Sequence, residues 1–319
     1  MSARGENSIL AAGGLSDKRR DCCWVFWSNG INWLNLLLQG ILLGGFYALF
    51  AAGLSLVFGV MRIVNLAHGD LSIVAAYIAF VLFQVWGLSP LISVIVAAIL
   101  MFGFGFVLQR FLLNLSIGGD VMRPLLVTFG ISIIIQNVLL EVFSADLRSL
   151  NAGVLGTGGF EFTRELAIGW LPLFTFAVGV GVLAALALFL ARTRLGRAFR
   201  ATSDSLDTAE LMGIDHRQVY SLAMGAALAI VAVGGIFMGL RTNFGPALGP
   251  MYLLFAFEAV VIGGLGSVWG TLAGGVTLGI AQTIGAELSP GLAVLAGHLV
   301  FLVILSFRPQ GLFPKTVEG

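Results

Sequence analysis

Asn65, His68 and Asp70 place an amide, an imidazole and a carboxylate within six residues, with Gly69 between the last two and an apolar run on either side. Such groups hold polar solutes or pass protons, and none of them is comfortable in hydrocarbon. An aspartate at the centre of a lipid-facing helix costs roughly 2.5–3.5 kcal/mol, so Asp70 must face protein, a water-filled cavity or the headgroup interface. That points to a polar passage through a membrane protein. A second reading stands beside it: Asp70 caps a helix beginning at Leu71, and His68 is satisfied by nearby backbone.

The other reactive side chains exclude several classes. Cys22 and Cys23 are the only cysteines and are adjacent, a spacing that rarely permits a mutual disulfide. The histidines, at 68, 216 and 298, show no paired ligand spacing, so no metal site is expected. Neither lysine, Lys18 or Lys315, follows a glycine, so the GxxxxGK[ST] phosphate loop is missing and the chain does not bind ATP by that route. No Ser/His/Asp arrangement suggests catalysis. The chain therefore reads as no enzyme, with no cofactor of its own. Its net charge of +1 carries no nucleic-acid signature, and no nucleic acid is expected as a partner. Glu141, Glu258 and Glu287 fall near expected segment ends, where interfacial solvation explains them more cheaply than ligand binding.

These groups must be positioned by membrane helices. The chain has 319 residues, 58% hydrophobic and 10% charged, against about a quarter charged in soluble domains, and its mean hydropathy is +1.01. Apolar runs at 34–60, 72–85, 91–108, 125–140, 171–190, 222–240 and 292–307 reach or approach the ~17–25 residues that cross hydrocarbon as a helix. Glycine-punctuated stretches at 255–265 and 268–285 bring the expectation to roughly eight or nine spans. The strands of a barrel would alternate apolar and polar residues instead. The fold class is all-α, a polytopic membrane helical bundle resting in a lipid bilayer.

No linker or repeat divides the chain. An N-terminal arm over 1–33 carries interfacial Trp24, Trp27 and Trp33. It is expected to be retained, because its short apolar stretch at 9–15 runs into Asp17, Lys18, Arg19 and Arg20 rather than a cleavage site. One transmembrane domain follows over 34–308, then a cytoplasmic tail over 309–319. Arg192, Arg194, Arg197, Arg200 and Arg217 assign the loop 192–218 to the cytoplasm by the positive-inside rule, and Arg308 with Lys315 agrees for the C-terminus. Counting back through five spans puts the N-terminus outside, whereas Lys18, Arg19 and Arg20 argue for inside. Either the arm is exported despite its charges, or a segment flanking Asp70 is broken or re-entrant.

The loop holds a short helix within 204–214. Asp204 or Asp207 can cap it, Gly213 suits the left-handed position after its end, and Ala209, Leu211 and Met212 offer a compact apolar surface with Glu210 and Ile214 beside it. A partner could dock there; the alternative is a solvated loop packed on the membrane domain. Gly266, Gly270 and Gly274 recur every fourth residue, as do Gly275 and Gly279, which lets helices approach closely. Gly263 and Gly264 either serve packing alone or allow a helix break and a backbone-lined path.

Gly53-Leu54-Ser55-Leu56-Val57-Phe58-Gly59, Asn65-Leu66-Ala67-His68-Gly69-Asp70, the loop 194–214 and Gly263-Gly264-Leu265-Gly266-Ser267 resemble, in that order, the inner-membrane permeases of branched-chain amino acid ABC importers, of the LivH type. The resemblance runs from about Leu36 to Pro314. It implies a translocation subunit paired with a related permease, with two cytoplasmic ATPase subunits that use the ATP and a periplasmic solute-binding protein. It also implies that the motif with Asn65, His68, Gly69 and Asp70 lies by the translocation path, for which Gly263 and Gly264 are candidates on the glycine reading alone. Asp204, Asp207, Ala209, Glu210, Leu211, Met212, Gly213 and Ile214 would form the segment that fits the ATPase. Many members carry Glu at Asp70, and many carry Lys at Phe255. Those departures bear on the cargo, since related systems move other amino acids, amides or urea. Two other classes remain: a secondary transporter exchanging protons at Asp70, His68 or Glu258, and a passive urea or amide channel. The polar loop argues against a channel, which needs no ATPase dock.

Overall fold

The computed structural model describes residues 17–117, 122–163 and 166–313, with side chains described from 33 onward except at 154 and 161–166. Trp24 and Trp27 fall outside those side chains; Trp33 is 56% exposed. Hydrocarbon supplies no hydrogen-bond partners, so apolar runs must satisfy their own backbone and become helices. Helix α1 spans Asp17–Met61 and passes unbroken through the boundary expected near residue 33. There follow α2 (His68–Trp86), α3 (Pro90–Leu108, extended by a π-helical turn at Gln109–Leu113), α4 (Met122–Phe143) and α5 (Trp170–Arg192). Two short helices come next, α6 (Arg194–Asp204) and α7 (Leu206–Leu211), before α8 (His216–Arg241), α9 (Gly249–Gly263), α10 (Val268–Leu288) and α11 (Leu292–Phe307). Seven of these helical segments are long and apolar enough to cross a membrane. With α10 and α11 they form the bundle, in keeping with the eight or nine spans expected. One feature was not anticipated: an antiparallel hairpin of β1 (Gly159–Thr163) and β2 (Leu166–Gly169), with Gly159 opposite Gly169, in the connection from α4 to α5.

Helices α1 and α8 are mostly buried, while α3, α4 and α5 turn most of their surface outward. The glycines of α10 work on two faces. A Cβ on Gly274 would sit 2.0 Å from Ala259 O of α9, and one on Gly275 would sit 2.6 Å from Gly44 O of α1. Small residues here replace side-chain interdigitation with backbone contact, as membrane bundles do where hydrophobicity cannot drive association.

A cavity of about 40 Å³ is lined by Gly59 and Val60 of α1, Leu190 of α5, Phe199 and Arg200 of α6, and Gly266 and Val268 at the α9–α10 turn. The arginine-rich loop therefore shares one end of the bundle with the last turn of α1 and with that turn. The C-terminal stretch returns to the same end, where Leu312 N and Phe313 N donate to Ile262 O and Gly263 O. Five helices precede Arg192, so Trp33 lies at the opposite end. The irregular segment also exists: residues 62–67 are not helical. It leaves the count unchanged, because α1 and α2 still run in opposite directions.

Candidate functional site

Segment 62–67 carries the chain from the end of α1 back into the bundle, and α2 starts deep inside. His68 Nε2 donates to Phe50 O at 3.0 Å, and Phe50 lies about three turns, or roughly 16 Å, before the end of α1. Helix α9 starts at the same level. Gly69 packs so closely on its first residue that a Cβ there would sit 1.9 Å from Gly249 O. Two helices thus begin in the bundle interior and cross at Gly69 and Gly249, with the positive ends of their dipoles together. Asp70, fully buried in the first turn of α2, places its carboxyl group at that crossing. Its Oδ2 accepts from Ser132 Oγ at 2.5 Å, and Ser132 Oγ in turn accepts from Gln136 Nε2 at 3.1 Å. Its Oδ1 lies against Gly249 and makes no hydrogen bond among the described residues. Pro250, in the first turn of α9, has no N–H to offer. Asn65 folds its approach, with Oδ1 accepting from Ala67 N at 3.0 Å. This is irregular backbone and a buried carboxyl group at membrane depth, enclosed by protein, the form that polar transport sites take in broken-helix transporters.

A second buried polar cluster lies between α9, α10, α11 and α1. Glu258, 1% exposed, accepts from His298 Nδ1 of α11. Phe255 stacks on the His298 ring at 6.2 Å and meets Tyr47 at a tilt with centroids 5.2 Å apart, and Tyr47 donates to Gln282 Oε1 at 2.5 Å. The sequence reading put Glu258 near a segment end, in interfacial water; it is instead inside the bundle. The signal was present in the apolar residues flanking it on both sides, but which face of α9 meets α11 is a tertiary fact. His298→Leu should lower thermal stability in detergent by about 1–3 kcal/mol, the penalty for a buried group left without its partner. Glu258→Met in the same chain should restore it, measured by thermal unfolding of the purified variants.

The polar loop forms a compact cap at the arginine-rich end. Thr193 caps α6 by accepting from Gly196 N, and Ser205 caps α7 by accepting from Thr208 N. Gly213 closes the segment at φ +80°, where a Cβ is disfavoured. Leu211 and Met212 are 87% and 78% exposed. Glu210 pairs with His216 at 2.5 Å, and Arg110 with Asp215 at 3.8 Å, fastening the loop to the bundle.

Residues 36–307 match the family model described as branched-chain amino acid transport system / permease component. The chain belongs to this family. Among its relatives, the high-affinity branched-chain amino acid transport system permease protein BraD of Pseudomonas aeruginosa is 32% identical over 299 residues, covering 89% of this chain and 96% of the relative. The corresponding permease protein LivH of Escherichia coli K12 is 29% identical over 300 residues, covering 88% and 96%. The permease protein LivM of Salmonella typhimurium is 25% identical over 299 residues, covering 85% and 68%.

In this member of the family, Asn65, His68, Gly69 and Asp70 come together at the α2–α9 crossing. Gly263 and Gly264 do not join them. They end α9 at the arginine-rich end, where Gly264 at φ +105° makes the turn and a Cβ on Gly263 would sit 2.1 Å from Gly270 O. Asp70 is not the cap of a helix starting at Leu71. The helix starts at His68, its N-cap is Ala67, and no side chain caps it. In the loop, Ser205 takes the capping place expected of Asp204 or Asp207, both of which are exposed. Ala209 also departs from the expected docking face, being 2% exposed beneath the loop. Successive helical residues are about 100° apart, so 209 and 211 point to nearly opposite sides. Only Leu211 and Met212 of that apolar trio face outward.

Proposed function

We propose that this chain is the translocation subunit of an ATP-driven importer carrying branched-chain amino acids across the bacterial inner membrane into the cytoplasm. The observation that carries the reading is the buried Asp70 at the crossing of two helix starts, in a member of a branched-chain amino acid permease family. The chain has no phosphate loop, which supports placing ATP hydrolysis on two separate cytoplasmic ATPase subunits and leaving this subunit without cofactor or catalysis. Exposed Leu211 and Met212 support their docking on the segment 204–214, with Asp204, Asp207, Glu210, Gly213 and Ile214 around the contact and Ala209 supporting it from beneath. Likeness to both LivH of Escherichia coli K12 and LivM of Salmonella typhimurium supports a second, related permease as partner. A periplasmic binding protein delivers the cargo. The bundle then alternates between outward-open and inward-open forms around the broken-helix site.

Reconstitution of the complete importer in vesicles tests this reading: labelled leucine should accumulate only with internal ATP and compete with isoleucine and valine. Uptake driven by a proton gradient without ATP would reverse the conclusion toward secondary transport. Asp70→Asn keeps the size and removes the charge, and is expected to reduce uptake by about tenfold at unchanged assembly, a loss of about 1.4 kcal/mol. Normal uptake in that variant would leave Asp70 a packing role only.

A further inference from the structure

Arg62 closes α1 with its backbone at φ +55°, a region that residues with a Cβ rarely enter. Its Nη2 donates at 3.2 Å to Ser203 O, in the last turn of α6 and next to the start of the segment 204–214. Glu210 of α7 pairs with His216, whose ring packs on Tyr220 at 5.8 Å. The guanidinium is thus tied to the end of α6, while Glu210 of α7 is fastened to the start of α8. In the other direction, residues 62–67 lead through irregular backbone and a hydrogen-bonded turn at 66–67 into the Asn65–Asp70 motif. They are pinned there by Leu66 N donating to Thr128 Oγ1 of α4 at 3.2 Å. A small void lined by Met61, Ile63, Asn65, Gln109 and Met224 lies beside this segment.

We propose that Arg62 is the positioning residue through which displacement of the loop segment 204–214 reaches the motif at the α2–α9 crossing. The inference rests on reading that segment as the ATPase dock. Only a few residues of chain separate Arg62 from the turn that opens α2, so a displacement of Arg62 is passed directly to the motif. Coupling between two sites requires an element whose arrangement both of them bias.

The test uses the complete importer in vesicles, comparing Arg62→Gly, Arg62→Lys and Leu211→Arg with wild type. Glycine accepts φ +55° and removes the guanidinium, whereas lysine keeps a donor on the same backbone. Arg62→Gly should retain its ATPases and their hydrolysis while moving about tenfold less amino acid per ATP, a size usual for coupling between sites. Arg62→Lys should recover most of that ratio. A wild-type ratio in Arg62→Gly, equal loss in both Arg62 variants, or release of the ATPases by Arg62→Gly would each overturn the proposal. Leu211→Arg separates the two ideas: if it keeps its ATPases, the dock itself is misplaced, however Arg62→Gly behaves.

Discussion

Gly69→Val is expected to leave almost no folded protein in the membrane. A Cβ at position 69 would lie 1.9 Å from Gly249 O and 2.8 Å from Leu253 N. Both obstacles are backbone, so no rotamer change relieves them, and α2 and α9 would have to separate at their crossing. Overpacking that side chains absorb costs ~1–3 kcal/mol; here whole helices must move, and Asp70 would lose its place against Gly249. Gly130→Val is the matched control, since a Cβ on Gly130 meets nothing within 4 Å. Size-exclusion profiles of the tagged permease at equal expression would show the difference. A normal monodisperse peak for Gly69→Val would mean that the two helix starts do not cross there.

The paired change Leu211→Arg and Met212→Arg should abolish stimulated ATP turnover and uptake together while insertion stays normal. Both side chains project from the loop and touch little of the permease, so the fold has little to lose. An apolar anchor buried in a partner is worth ~2 kcal/mol or more, and replacing it with charge adds a desolvation penalty. Co-purification of the ATPase subunits with the variant, and turnover in vesicles at equal permease content, measure the effect. Undiminished binding would move the dock elsewhere. Ala209→Arg is a poorer probe, because Ala209 is buried under the loop and its replacement would damage the cap itself.

Much of this protein was legible in its residues. Hydropathy is a local property, so the apolar runs marked the helices of the bundle, and the arginines of 192–218 marked one end. Gly213 and the α9–α10 glycines were readable because a turn needs positive φ and close helices need small residues. The Asn65–Asp70 motif stood out because polar chemistry between apolar runs needs a reason.

Other features depended on contacts between residues far apart in the chain. That α2 begins at His68 rather than Leu71, and begins in the bundle interior, follows from Phe50 and Gly249 arriving beside it. Glu258 became an internal group only because α11 brings His298 against α9. Arg62 stands out only because α6 places Ser203 O within its reach. Local composition decides whether a segment enters the membrane, since transfer free energy sums over its own residues. Which buried polar groups meet is decided by helix packing, because each must find its partner on another helix or remain unpaired in a medium without water.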